Sequence, residues 1–349
     1  MQNNSSILSV GTAVPTKAWS QADIVKRLNI TKPSQLRFFN HNHINNRFLG
    51  LPAQDLPETT GDLLIRFENQ VRALSCESFE KACKAINLSS DKIDFLCVVS
   101  STGLIVPSIS ARLVGDLKLR SNIQRTDIVG MGCNAGLNGL QVVRNWTLAN
   151  PGKFGALVCS EICSAIYDEE NTNNSAIVNS LFADGSAAVV LSTIKPSNVD
   201  KKFEILAFES TLIKDSLPDL RFDWNREKSK YSFFIDKATP KKLGNSIREL
   251  VENFLKEQNL KMTDINQWIL HTGGSAILDE IQGKLELKKH SLIHTRDILK
   301  NYGNLSSASF LFTYKNILSH EPLANGALAI MITMGPGLSI EMALGRWNI

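Results

Sequence analysis

Short, nearly continuous apolar runs alternate along this chain with longer stretches in which apolar positions recur at helical spacing. Leu64, Phe67, Val71 and Leu74 open one such stretch and Ala82 and Ile86 continue it, so the spacing predicts a helix over 63–88. The run at 95–100 has strand length and stops at Ser-Thr-Gly. Residues 156–160 and 187–192 are almost wholly hydrophobic, the pattern of strands covered on both faces. A helix is expected from Pro240 to about Leu260, a short strand at 268–271, and further helices at 275–287 and 306–319. Two last strands, 327–333 and 338–344, flank Met334-Gly335-Pro336-Gly337.

This alternation is that of an α/β protein. The chain has 349 residues, more than one core usually fills, so two domains or two fused halves are expected. Residues 194–202 carry Pro, Ser, Asn and Lys between two strands and form the best boundary, dividing 1–195 from 196–349. Gly185-Ser-Ala-Ala and Gly326-Ala-Leu-Ala each precede an apolar strand, a hint of duplication.

Charge adds exclusions. The net charge is +4 with Lys and Arg dispersed, whereas nucleic-acid binding needs a clustered patch. Residues 1–6 have no basic segment and apolar run, so no signal peptide is expected, and no window approaches the roughly 18 apolar residues of a membrane span. The six cysteines (76, 83, 97, 133, 159 and 163) form no Cys-x-x-Cys pair and no Cys/His cluster. Reduced thiols, a cytoplasmic location and no metal are the expectation.

One cysteine stands apart. Cys133 lies in Gly130-Met-Gly-Cys-Asn-Ala-Gly136, after strand-like 127–129 and before an amphipathic helix at 137–148. Glycines there permit a tight turn and close approach of a substrate, and a helix N-terminus favours the nucleophilic thiolate. Taken alone, Cys133 reads equally as a small residue at a packing crossing. His271 ends a strand and begins His-Thr-Gly-Gly, a common place for active-site residues in α/β folds, though a lone histidine there is more often structural. Asn304 precedes a helix. Ser306 is the more natural cap, which leaves the Asn304 amide free to point elsewhere.

Five segments occur together in order: Gly-Cys133-Asn-Ala-Gly, Leu181-Phe182-Ala-Asp184-Gly-Ser, His271-Thr-Gly-Gly, Gly303-Asn304-Leu-Ser-Ser-Ala-Ser and Gly335-Pro-Gly-Leu. In this the chain resembles the chalcone-synthase-like type III polyketide synthases over nearly its whole length, and looks closest to the bacterial alkylpyrone and alkylresorcinol branch. The resemblance implies a thiolase-like fold, two duplicated halves in a five-layer αβαβα sandwich, working as a homodimer without metal or organic cofactor. It implies that Cys133 takes the acyl group of a starter acyl-CoA, expected to be a fatty acyl-CoA. His271 would pair with the thiolate and lower it from about 8.5. His271 and Asn304 would donate to the malonyl-CoA thioester carbonyl during decarboxylation, and cyclisation would give a pyrone or a resorcinol.

By the same resemblance Phe182 matches a gatekeeper between CoA tunnel and cavity, and Phe234, or its neighbour Phe233, a second. Ser101, Thr102, Cys163, Ile166 and Ser306 match cavity-lining positions. Val106 matches the position where plant enzymes insert a Met into the partner's cavity, and its smaller size hints at longer starters. Arg37 matches a CoA-phosphate-binding Arg, with His41 in place of the accompanying Lys. Two other readings compete. An initiating ketoacyl synthase would take malonyl from an acyl carrier protein, but those enzymes usually read His-Gln-Ala-Asn at the histidine. A degenerate acyl-CoA-binding homologue would be expected to have lost a member of the Cys-His-Asn set.

Overall fold

A computed structural model describes residues 4–41, 43–52, 58–167, 172–227 and 230–349. Its centre is a nine-stranded sheet. One half runs Gln124–Val129, Ile93–Ser100, Phe154–Glu161, Gly185–Ser192 and Ser6–Ala13 from edge to middle. The other runs on through Lys202–Leu212, Ser339–Asn348 and Leu328–Gly335 to Ile265–Leu270. The halves meet where Ser6 and Ile7 pair with Glu204 and Phe203.

Although the strands read as continuous apolar runs, their side chains divide with period two between separate cores. Cys97, Val99, Leu157, Cys159, Val189 and Leu191 face inward with Ile269, Met331 and Ala343. They pack on Leu137, Leu140, Phe310 and Leu311, from the helices Ala135–Ala149 and Ser309–His320. Their neighbours Leu96, Val98, Ala156, Val158, Ala188 and Val190 face the long helix Thr60–Ala85 through Phe67 and Val71. In the second half, Trp268, Leu270, Ile330, Ile332, Met342 and Leu344 face Leu243, Ile247 and Val251 of the helix Thr239–Glu257. Outer helices, sheet, central helices, sheet and outer helices make five layers, the αβαβα arrangement of a thiolase-like fold.

Each element predicted from periodicity is present, with ends shifted by up to four residues. The last helix begins at Ser309, not at 306, because Ser306–Ala308 forms a 3-10 turn capped by Leu305. The strand expected after 202 spans Lys202–Leu212, while patterning did not identify the hairpin of Leu220–Asn225 and Lys230–Ile235. No described helix is long and apolar enough to cross a membrane, and no group of three His, Cys, Asp or Glu among the described residues could hold a metal ion.

Candidate active site

Cys133 is delivered by a sharp turn between the strand Gln124–Val129 and the helix Ala135–Ala149. Gly132 takes φ 84°, and a Cβ there would lie 2.1 Å from Pro336 Cδ, so only glycine fits. The Gly-Pro-Gly loop thus packs on the cysteine turn. From the other side, the Gly132 N–H donates to Ser101 Oγ at 2.8 Å.

His271 continues the strand Ile265–Leu270, its N–H donating to the Ile332 carbonyl at 3.0 Å. Asn304 follows Gly303, whose φ of 77° turns the chain out of the helix Ile293–Tyr302. It is then gripped by the other half of the molecule: its N–H donates to Leu181 O at 2.9 Å, and its carbonyl accepts from Ala183 N–H at 2.8 Å. All three groups are buried, Cys133 at 7% exposure and His271 and Asn304 at 2%.

A single segment, Ser306–Ser309, ties them together. The Ser306 hydroxyl lies 3.4 Å from Cys133 Sγ. Its backbone N–H donates to Asn304 Oδ1 at 2.8 Å, which leaves the carboxamide NH2 as the donating end. His271 Nδ1 lies 2.6 Å from Ser309 Oγ. Ser306 is therefore no helix cap. It adopts φ 50°, a left-handed conformation disfavoured for serine, and its hydroxyl points into the site.

The same hydroxyl lies 3.3 Å from Glu161, a fully buried carboxylate that sequence reading assigned no role. Glu161 also accepts from Ser101 N–H and Thr102 Oγ1, each at 2.9 Å, and from Ser307 Oγ at 2.5 Å. Burial pushes this acid up from its ordinary value, while the four donors pull it back. Its sequence signal was an acidic residue ending an otherwise uncharged strand, FGALVCSE. A second missed group, Arg47, is wholly buried and donates to Tyr167 Oη and Asn179 O at 2.6 Å, Phe182 O at 2.9 Å and Gln21 Oε1 at 2.7 Å.

Burial dominates the electrostatics. It pushes the Cys133 thiol up to about 12, although the Ser306 hydroxyl and the cysteine's own N–H act the other way. The helix N-terminus expected to favour a thiolate is outweighed, Cys133 lying two residues before Ala135. Burial likewise holds His271 down to about 3. A lone charge is thus disfavoured on either group.

Beside the cysteine turn opens a cavity of about 910 Å³. Ser101, Thr102 and Ile166 line it as expected, with Gly130 of the cysteine turn. Cys163 and Phe182 are buried in the central core instead. The Phe182 ring meets Phe233 edge-on at 5.2 Å, and Phe233 meets Phe222 at 5.1 Å, which lines the cavity. Phe233, and not Phe234, is thus the neighbour that packs on Phe182. Strand alternation turns Phe234 to the opposite face of the hairpin, where the Arg221 guanidinium lies 4.2 Å from its ring centre. Val106 is 84% exposed, outside the cavity of its own chain, and Arg37 is exposed over Phe38.

Sequence comparison decides what this site belongs to. Residues 53–213 match the family described as FAE1/Type III polyketide synthase-like protein, and residues 219–346 match the C-terminal domain of chalcone and stilbene synthases. A 3,5-dihydroxyphenylacetyl-CoA synthase of Amycolatopsis balhimycina is 38% identical over 343 residues, 97% of this chain and 92% of its own. The chain belongs to the type III polyketide synthases. A 1,3,6,8-tetrahydroxynaphthalene synthase of Streptomyces peucetius is 26% identical over 99% of the chain and 94% of its own length. Among solved structures, PKS-I of the brown alga Ectocarpus siliculosus superposes with a TM-score of 0.90 at 25% identity, covering 99% of this chain and 98% of its own. The tetrahydroxynaphthalene synthase of Streptomyces coelicolor gives 0.91 at 24%, with 99% of each chain covered. The enzyme is accordingly an acyltransferase that extends acyl thioesters by decarboxylative Claisen condensation, using acyl-CoA and malonyl-CoA.

Proposed function

We propose that this enzyme assembles a dihydroxyphenylacetyl-type thioester from malonyl-CoA, with Cys133 as the acyl-carrying nucleophile. The observation carrying the product assignment is 38% identity, over nearly the whole chain, to synthases named for 3,5-dihydroxyphenylacetyl-CoA. The eight acyl carbons of that product equal four two-carbon units, so no separate starter is needed. In this reading the Cys133 thiolate attacks an acyl-CoA carbonyl, the new C–S bond forms, and CoA leaves as its thiolate. His271 and the Asn304 NH2 then donate to the thioester oxygen of malonyl-CoA, where charge develops as carbon dioxide departs. A donor so placed is worth roughly 3–4 kcal/mol.

Phe182 and Phe233 would divide the CoA channel from the cavity, and exposed Arg37 is free to meet CoA phosphate. Halves 1–195 and 196–349 would each be one copy of the duplicated unit. Exposed Val106, together with Leu104 and Val129 at the rim, supports a homodimer that covers this apolar face.

A second reading keeps a fatty acyl starter and a pyrone or resorcinol product. The cavity favours it, because Leu63, Leu104, Val129 and Phe222 offer an apolar wall long enough for an alkyl chain. Incubation with malonyl-CoA alone, without carrier protein, separates the two by product mass. A dihydroxyphenylacetyl thioester or its free acid supports the first reading. Product only after adding fatty acyl-CoA supports the second, and product only with malonyl carrier protein overturns both.

A further inference from the structure

Ser309 is buried at the first turn of the helix Ser309–His320 and takes no part in the chemistry described so far. Its hydroxyl touches two groups. It donates to the Ser306 carbonyl at 2.7 Å, and it lies 2.6 Å from His271 Nδ1. A hydroxyl has one proton and two lone pairs. With that proton committed to Ser306 O, Ser309 presents only lone pairs to the imidazole. A bare Nδ1 would set lone pair against lone pair at 2.6 Å, an arrangement relieved when Nδ1 carries the proton.

We propose that Ser309 is a positioning residue that holds neutral His271 in its Nδ1–H tautomer, so that Nε2 offers the lone pair that takes the Cys133 proton. This rests on the Cys133–His271 reading above. The proton balance follows. The Sγ–H bond breaks, an Nε2–H bond forms, and the site becomes a thiolate–imidazolium pair with no net change in charge. Nδ1–H stays on Ser309 throughout. Once CoA leaves as a thiolate and is protonated by solvent, the proton on Nε2 is the one that His271 needs for donation to the malonyl thioester. The same Nδ1–H contact therefore holds the neutral imidazole during loading and the imidazolium during condensation. The other would leave a lone pair facing Ser309 and no acceptor for the thiol. Through Ser306 the same hydrogen-bonded segment reaches the other ionisable groups of the site, Cys133 and Glu161.

The direct test is the ¹⁵N spectrum of histidine-labelled protein carrying Cys133→Ser, which cannot form a thiolate. His271 is assigned by the signal lost on adding His271→Gln. At neutral pH the expected signature is a protonated Nδ1 and an unprotonated Nε2, and the reverse overturns the proposal. In the chain that retains Cys133, Ser309→Ala should slow alkylation of Cys133 by iodoacetamide at pH 7 by about tenfold or more, and Ser309→Thr should restore most of it. If Ser309→Ala reacts like the unaltered enzyme while His271→Gln is slow, the Ser309 proposal fails alone. If His271→Gln also reacts normally, the underlying Cys133–His271 reading is what fails. Should Ser309→Ala not fold, the spectrum still decides.

Discussion

Phe182 and Asn304 pair backbone to backbone as an isolated parallel bridge, the one residue from the first half of the chain and the other from the second. The bridge is held at Leu181 O and Ala183 N–H, and the carbonyl of Phe182 itself accepts from the buried guanidinium of Arg47. A Cβ on neighbouring Gly303 would lie 2.8 Å from Arg47 Cγ, so the arginine also packs beneath the turn that presents Asn304. Position of the proposed decarboxylation donor thus depends on a side chain far away in sequence.

Arg47→Met should therefore cost both stability and chemistry. The Gln21 amide oxygen loses its buried donor, at about 1–3 kcal/mol for a group left unpaired. Urea unfolding should shift to lower midpoint, and malonyl-CoA decarboxylation by the folded fraction should drop more than Cys133 alkylation does. An unchanged midpoint with full decarboxylation would remove Arg47 from the account.

Paired ionisation predicts how Cys133 reactivity depends on pH. Because one proton moves within the site, iodoacetamide alkylation of the enzyme should be nearly flat through neutral pH. His271→Gln removes the counter-charge and leaves a thiol that burial pushes up. Its alkylation should be slow at pH 7 and rise about tenfold per pH unit. A flat profile in the variant would show that another group makes the ion.

Acid stability carries the opposite mark of the same burial. The His271 value falls from 6.5 to about 3 on folding, so between these limits the unfolded chain binds more protons than the folded one. Stability from this group is complete above pH 6.5 and is lost as pH falls toward 3, by about 1.4 kcal/mol per pH unit. Glu161, shifted upward, acts in the other sense, so the difference between enzyme and His271→Gln is the quantity to follow. The unaltered enzyme should lose stability more steeply on acidification, and parallel curves would contradict a buried neutral histidine.

The aromatic chain from Phe182 through Phe233 to Phe222 separates two neighbours. Phe233→Leu should alter product distribution or the KM for the acyl thioester, whereas Phe234→Leu, on the outer face of the hairpin, should leave both within about twofold. Mass spectrometry of products with matched kinetics checks this. A larger effect at Phe234 would mean that the hairpin register differs.

Legibility followed range along the chain. Cys133 was visible because its signal is local: glycines, a strand before, a helix after. The buried strands were visible because two-sided burial writes itself as continuous apolar runs. Ser306 was misread as a cap, since local propensity favours that role and the pull toward Cys133 and Glu161 comes from residues more than a hundred positions away. Glu161 and Arg47 were passed over for the same reason, as their partners lie on other strands and loops. Phe233 and Phe234 differ only in which face of a hairpin they occupy, and a one-residue slip exchanges them. That hairpin carries Leu220, Phe222 and Trp224 in strict alternation, a signal present in the sequence but left unused. The helix-dipole argument for a thiolate is local, whereas the burial that pushes the Cys133 thiol up comes from residues distant in the chain.

Whether Cys133 carries the growing acyl chain is tested most directly by mass spectrometry of its peptide after brief exposure to malonyl-CoA, and separately to acyl-CoA. An acyl mass on Cys133, absent in Cys133→Ala along with all polyketide product, is the expected result. Product formed by Cys133→Ala, or acylation confined to another residue, would contradict it.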